Sequence, residues 1–129
     1  MLLDTDSRDP VSRPVQSGDW LWTDLFTTDP AGAGDFYKGL AGLQLKTFSD
    51  SNKIPVDILM SNGRARSGVV EIPWKHVAPV WLPYVLVENI DATVERSVQL
   101  GGRLFFKFKG GAILLDPAGA AFGVQQVSK

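Results

Sequence analysis

Two stretches, WLWTDLFTTDPAGAGDFYKGLAG (residues 20–42) and VWLPYVLVENIDATVERSVQLGG (residues 80–102), decide the fold because they repeat one pattern. Each begins with an apolar run typical of a strand, passes a helix-capping residue into a helical segment, and ends in glycine. A shift of 60 residues superposes them without a gap, so that Asp29 falls on Asn89 and Gly42 on Gly102. The closing strands also recur, as SGVVEI (67–72) and FGVQQV (122–127). An internal repeat of this kind predicts a duplicated structural unit.

Each repeat predicts the order βαβββ, which makes the fold class α+β. In the first unit we expect a strand over 20–27, a helix from Asp29-Pro30 to Gly42, and strands near 43–48, 56–60 and 66–72. In the second we expect a strand over 81–87, a helix over 92–100 capped by Asn89, and strands over 103–107, 112–115 and 121–127. We also expect Phe36, Tyr37 and Leu40 to form the apolar stripe through which the first helix packs.

The composition of the chain argues against several classes of function. The chain has 129 residues, 44% hydrophobic and 21% charged, as in one ordinary globular domain. Its net charge of -1 argues against nucleic-acid binding, which needs a basic surplus. No cysteine is present, so disulfides and thiolate nucleophiles are excluded, and a single histidine excludes a histidine-rich metal site. No apolar run approaches the ~20 residues that span a bilayer, so no membrane span is expected.

Residues 1–18 are polar, contain two prolines and lack any periodicity. We interpret them as a flexible arm ahead of one domain over residues 19–129, with module one at about 19–73 and module two at about 80–128. An alternative is a tether to a removed signal or lipid anchor. The protein is expected to be cytoplasmic if Met1 is native, and exported or lipid-anchored if the stretch is a tether.

The chain resembles the glyoxalase/bleomycin-resistance/dioxygenase (vicinal oxygen chelate) superfamily over residues 20–126. The motifs that carry the resemblance are WTDLFTTDP (22–30) with Phe36-Tyr37 and Gly42, then WLPYVLV (81–87), DAT (91–93), LGG (100–102) and DPAGAAFGV (116–124). The resemblance implies two tandem βαβββ modules that form a glyoxalase-like cup from a mixed curved sheet, with the helices outside. It also implies a homodimer, because exposed sheet edges and aromatic patches are often paired.

Metal-binding members of this superfamily take one ligand from the first and last strand of each module. The resemblance places Trp22, Leu82, Gly68 and Gly123 there, with Gly68 fixed to within one residue. None of these side chains can coordinate a divalent cation. We therefore predict no metal and no cofactor, and we do not expect a metal-dependent lyase or dioxygenase activity.

The residues that line the cup follow from these positions, because strand side chains alternate between faces. The cup so defined is apolar and aromatic, with Asp24, Tyr84 and Gln125 as its polar groups. It suits a small-molecule pocket, and it equally suits a cup packed shut by Trp22. The predicted ligand-binding residues are Trp22, Asp24, Phe26, Val70, Leu82, Tyr84 and Gln125.

Asp24 and Tyr84 are the weak candidates for catalysis. An acid in an apolar cup has a raised pKa and can act as a proton donor or base. The structural alternative is that Asp24 is satisfied by Arg64, Arg66 or Tyr84. His76 lies in the segment between the modules and is interpreted as a loop residue, and Trp74 and Trp81 are expected to fill space between modules or at a subunit interface.

The leading functional hypothesis is a non-metal protein that holds a small apolar or aromatic molecule in its cup. A metal-independent enzyme that uses Asp24 and Tyr84 is the first alternative. The second alternative is a protein with a filled cup that acts through its outer surface or a partner.

Overall fold

The computed structural model describes residues 14–50 and 52–126. The predictions for residues 1–13 and for Val127 lie outside this part of the chain. Residues 16–19 form a turn, from which Gly18 N donates to Leu86 O at 2.8 Å and Asp19 O accepts from Leu86 N at 2.8 Å. No helix in the described residues is long and apolar enough to cross a membrane.

Both modules fold in the predicted order, which confirms the α+β assignment. Module two contains a helix that begins at Ile90, two residues earlier than predicted, because Asn89 caps it there. The elements are β1 (Trp20–Thr27), α1 (Pro30–Ala41), β2 (Gln44–Ser49), β3 (Pro55–Ser61), β4 (Arg64–Glu71), β5 (Val80–Val87), α2 (Ile90–Gln99), β6 (Arg103–Phe108), β7 (Gly111–Leu115) and β8 (Ala121–Gln126).

The helix boundaries follow from the residues that the repeat shares. Asp29 Oδ1 accepts a hydrogen bond from Gly32 N at 3.0 Å, and Asn89 Oδ1 accepts one from Ala92 N at 2.9 Å. These side chains satisfy backbone donors that the first helical turn leaves unpaired. Gly42 ends α1 with φ 72°, a left-handed conformation that glycine adopts without steric cost.

The strands form a single eight-stranded mixed sheet in the order β2-β3-β4-β1-β5-β8-β7-β6. Within the modules β1 runs parallel to β4, and β5 runs parallel to β8. The modules join through the antiparallel pair of β1 and β5. The first and last strands of both modules therefore lie side by side at the centre of the sheet, and β2 and β6 form its edges.

The two faces of the sheet differ in what covers them. Ile90 of α2 packs with Ala112, Leu114 and Val124, and α1 packs on β2, so both helices lie on one face, here called the helix face. The opposite face, here called the cup face, carries a second buried cluster: Phe26, Leu82, Tyr84 and Ile113.

The expected apolar stripe of α1 is wrong for two of its three residues. Phe36 and Leu40 are 60% and 67% exposed. The helix instead packs through Gly34, where an added Cβ would lie 2.8 Å from Leu45 Cδ2. The glycine lets the helix backbone approach β2 closely, and of the three predicted residues it is Tyr37 that makes a ring contact with the sheet, at Trp81.

Candidate functional site

The central strands bring the predicted polar residues of the cup together. Asp24 on β1 lies beside Gly68 on β4, and Tyr84 on β5 lies beside Gly123 on β8. Across the junction of the modules Trp22 is paired with Tyr84. The positions that the superfamily resemblance singled out thus converge at the centre of the cup face.

Asp24 is held by two aromatic side chains. Trp22 Nε1 donates a hydrogen bond to Asp24 Oδ1 at 2.9 Å. The Tyr84 hydroxyl also hydrogen-bonds to the Asp24 carboxyl. Tyr84 is one of the three partners that the sequence predicted for Asp24, whereas the hydrogen bond from Trp22 was not predicted.

Burial dominates the electrostatics of this cluster. It raises the pKa of Asp24, and the hydrogen bonds from Trp22 and Tyr84 oppose that rise because they favour the ionised carboxylate. The pKa of Tyr84 is also raised, first by burial and then by the negative charge and hydrogen bond of Asp24. The site therefore contains one acid that is easier to protonate than usual and one phenol that holds its proton.

The space beside the two glycines is already occupied. A Cβ on Gly68 would lie 2.1 Å from Asp24 Oδ1 and 3.3 Å from Trp22 Nε1. A Cβ on Gly123 would lie 2.3 and 2.4 Å from Cδ2 and Cε2 of the Tyr84 ring. Asp24 and Tyr84 therefore fill the volume into which side chains at these two superfamily metal positions would extend.

The donor set does not fit a metal ion. Trp22, Leu82, Gly68 and Gly123 offer no coordinating side-chain atom, and Asp24 is a single carboxylate already engaged in hydrogen bonds. Among residues 14–50 and 52–126, no three His, Cys, Asp or Glu side chains come close enough together to hold one.

Trp74 fills the module-two side of the cup. Its indole stacks on Phe26 with ring centroids 5.8 Å apart, and it meets Phe105 and Phe106 nearly edge-on at 5.1 and 5.3 Å. A bulge in β6 between Leu104 and Phe106 breaks the alternation, so that two consecutive phenylalanines contact the indole. Trp74 and Trp22 are both partly buried and pack against the core cluster of the cup face.

A small cavity remains beside Trp74. Its volume is about 120 Å³, below the ~300–1,000 Å³ of typical ligand pockets, and it exposes no polar surface. It is lined by Phe26, Trp74, Val77, Val80, Leu82, Phe105, Ile113, Leu115 and Ala121.

The other residues that the sequence analysis singled out differ in burial and in the face of the sheet on which they lie. Val70 packs against the buried cluster of the cup face, but Gln125 is exposed. Ile113 and Ala121 were missed, although Ala121 has the same strand parity as Gly123 and alternation alone could have found it. Trp81 lies on the helix face, where its ring contacts Tyr37 at 5.4 Å.

A larger cavity lies on the helix face, away from Asp24. This outer groove between α2 and the sheet has a volume of about 730 Å³ and is open to solvent. Its floor is apolar, formed by Val85, Val87, Phe122 and Val124, and Ala92 and Arg96 of α2 lie along it.

No protein-family profile matches the chain. The chain is 30% identical over 134 residues to the Mycobacterium tuberculosis protein named "Putative glyoxylase CFP32", a match that covers 93% of this chain and 50% of the relative. It is 28% identical over 123 residues to "Anthracycline biosynthesis protein DnrV" of Streptomyces peucetius, covering 80% of this chain and 45% of that relative. The chain spans about half the length of the curated relatives it matches.

Solved structures share the fold at low sequence identity. A hypothetical protein from Bacillus halodurans, BH1468, matches with a TM-score of 0.57 at 13% identity, over 88% of this chain and 97% of that one. Methylmalonyl-CoA epimerase from Mycobacterium tuberculosis matches with a TM-score of 0.53 at 16% identity, over 91% of this chain and 94% of that one. These structural matches show the shared fold, and the sequence relatives and the duplicated βαβββ modules support assignment of the chain to the glyoxalase/bleomycin-resistance (vicinal oxygen chelate) superfamily.

Proposed function

We propose that this domain binds a small apolar or aromatic molecule in its cup without a metal ion. The observation that carries the proposal is the make-up of the cup face, where Asp24, hydrogen-bonded to Trp22 and Tyr84, faces walls that are apolar and largely aromatic. Pockets for small molecules combine such walls with a few polar groups that orient the ligand. The donor set at the superfamily's metal positions supports metal independence, because none of its side chains coordinates a cation.

The nature of the walls supports an aromatic ligand. Phe26, Trp74 and Phe105 line the cavity, and Phe106 contacts the Trp74 ring nearly edge-on. Aromatic rings favour offset-stacked and edge-to-face neighbours. The name of the relative DnrV, which refers to anthracyclines, is consistent with a ring-containing ligand, since anthracyclines are polycyclic aromatic compounds.

A metal-independent enzyme is the second candidate, and one observation favours it. Burial raises the pKa of Asp24, and a carboxyl with a raised pKa can donate or accept a proton. Tyr84 would then position the acid through their shared hydrogen bond. The geometry indicates no particular reaction.

Calorimetric titration of EDTA-treated protein with phenol, a single ring small enough for the existing cavity, tests the proposal. We expect saturable binding that Ala121→Leu abolishes, because the substitution places an isobutyl group in the 120 Å³ cavity. The matched control is Ala92→Leu, the same change in the outer groove, which should leave binding intact.

Two results would contradict the proposal. Loss of binding in Ala92→Leu but not in Ala121→Leu would place the ligand in the outer groove. Stoichiometric metal by elemental analysis, or a large rise in melting temperature with Zn²⁺, Ni²⁺, Mn²⁺ or Fe²⁺, would contradict metal independence, because a ligand that binds only the folded state stabilises it.

A further inference from the structure

We propose that the Trp74 indole occupies the place of the ligand's ring, and that the ligand is a flat aromatic molecule whose amine or hydroxyl group reaches Asp24. This inference rests on the proposed function and deepens it, because it names the ligand class and the residue that limits its access.

The surroundings of Trp74 are those of a bound aromatic ligand. Phe26 provides a stacking face with an interplanar angle of 21°, and Phe105 and Phe106 provide neighbours at 83° and 65°. These three residues belong to β1 and β6, whereas Trp74 comes from the segment between β4 and β5. The indole therefore inserts among aromatic side chains of β1 and β6. Phe26, Phe105 and Phe106 are called its box below.

Most residues of the segment that carries Trp74 are exposed. Its residues Pro73, Lys75, His76, Ala78 and Pro79 are exposed, and only Trp74 and Val77 are partly buried. His76 adopts φ 63°, a left-handed conformation that is unfavourable for a non-glycine residue. The indole can therefore leave its box without breaking strand pairing, and its departure allows the strained turn to relax.

The volume of the site supports displacement of the indole over binding beside it. The cavity of about 120 Å³ is too small for a bicyclic ring in addition to Trp74. With the indole displaced, that cavity merges with the volume of the indole itself. The enlarged space accepts one flat ring system between Phe26 and the phenylalanines of β6.

Asp24 lies within reach of a substituent on such a ring. It precedes Phe26 by two residues on the same face of β1, a separation of about 7 Å along a strand. Leu82, which pairs with Asp24 across the junction of the modules, lines the cavity. A carboxylate offers about four acceptor sites, and Trp22 and Tyr84 use two of them. Asp24 therefore keeps acceptor capacity for a donor on the ligand.

A cavity-rescue experiment tests the exchange of indole for ligand. We expect Trp74→Ala to bind free indole at least about tenfold more tightly than the wild type does, measured by calorimetry, because the vacated box is complementary to that ring. Trp81→Ala is the matched control, since it removes an indole from the helix face, and it should gain no indole binding. Equal indole binding in Trp74→Ala and Trp81→Ala would overturn the assignment of the box.

The role of Asp24 is tested in the same background with tryptamine, which is indole bearing an aminoethyl group. We expect Trp74→Ala to bind tryptamine about tenfold more tightly than indole, the effect of one hydrogen bond to a charged group. In the Trp74→Ala/Asp24→Asn double variant that preference should shrink to about threefold or less. A preference that persists without Asp24, or that never appears, would overturn the contact with Asp24.

If Trp74→Ala does not fold, Trp74→Leu keeps an apolar side chain in the box and should show the same order of affinities. Failure of this inference can be told apart from failure of the proposed function. The inference fails if the wild type binds phenol in the cup but Trp74→Ala does not gain indole binding. The proposed function fails if wild-type binding is absent or insensitive to Ala121→Leu, whatever Trp74→Ala does.

Discussion

Gly123→Ala is the substitution that most directly tests how the centre of the cup is packed. The added methyl carbon would lie 2.3 and 2.4 Å from two atoms of the Tyr84 ring, well inside van der Waals contact. Tyr84 is 7% exposed, and its ring belongs to the buried cluster of the cup face. The ring therefore cannot turn away without displacing other core side chains.

The expected loss of stability follows from this clash. Overpacking a well-packed core costs about 1–3 kcal/mol. Because the added methyl group clashes with two atoms of a buried ring, we expect a cost at the upper end of this range, about 3 kcal/mol. Restricting the unfolded chain returns about 0.5 kcal/mol. At about 4 °C per kcal/mol for a domain of this length, a net loss of about 2.5 kcal/mol lowers the melting temperature by about 10 °C.

Differential scanning calorimetry checks the value against a matched control. Gly39→Ala introduces the same methyl group into α1, where nothing lies within 4 Å, and it should raise stability by about 0.5–1 kcal/mol. In a Tyr84→Ala background Gly123→Ala should become neutral or stabilising, since its clash partner is gone. An unchanged melting temperature for Gly123→Ala in the wild-type background would refute the conclusion that Tyr84 fills this space.

Two further predictions concern charge and helix capping. Burial raises the pKa of Asp24 above its ordinary value of 3.8. The folded state is therefore more stable while Asp24 is protonated, and this stability is lost as the pH rises through the pKa of the folded state. The melting temperature of Asp24→Asn minus that of the wild type should therefore increase between about pH 3 and about pH 7, and a constant difference would contradict a dominant burial effect. Asp29→Ala and Asn89→Ala should each destabilise the domain by about 1 kcal/mol in urea unfolding, and a loss confined to one helix would contradict equivalent caps.

Those parts of the fold that depend on local sequence were predictable. The caps at Asp29 and Asn89, the terminating Gly42 and the order of the strands all follow from short-range signals that the repeat states twice. The absence of metal donors at Gly68 and Gly123 was equally plain from the sequence. Homodimer formation, the compartment and the N-terminal arm stay predictions.

The contents of the cup were only partly predictable, because they depend on packing between distant segments. No periodicity tells where the loop between β4 and β5 sends Trp74. The bulge in β6 defeats strand alternation, so Phe105 and Phe106 both reach the indole, as alternation alone would not predict. The close approach of Gly34 to Leu45 likewise depends on how α1 lies on the sheet, which the apolar spacing of Phe36 and Leu40 does not reveal.

Gly68 and Gly123, at the positions where the superfamily resemblance places metal ligands, lack donor atoms and also leave space for neighbouring side chains. A glycine with no side chain packed over it would leave an unfilled space at the centre of the cup. Instead Asp24 covers Gly68 and Tyr84 covers Gly123, each from the neighbouring parallel strand. A ligating side chain at either glycine would collide with the residue that covers it. A metal site at either glycine would therefore require the glycine and its neighbour to change together.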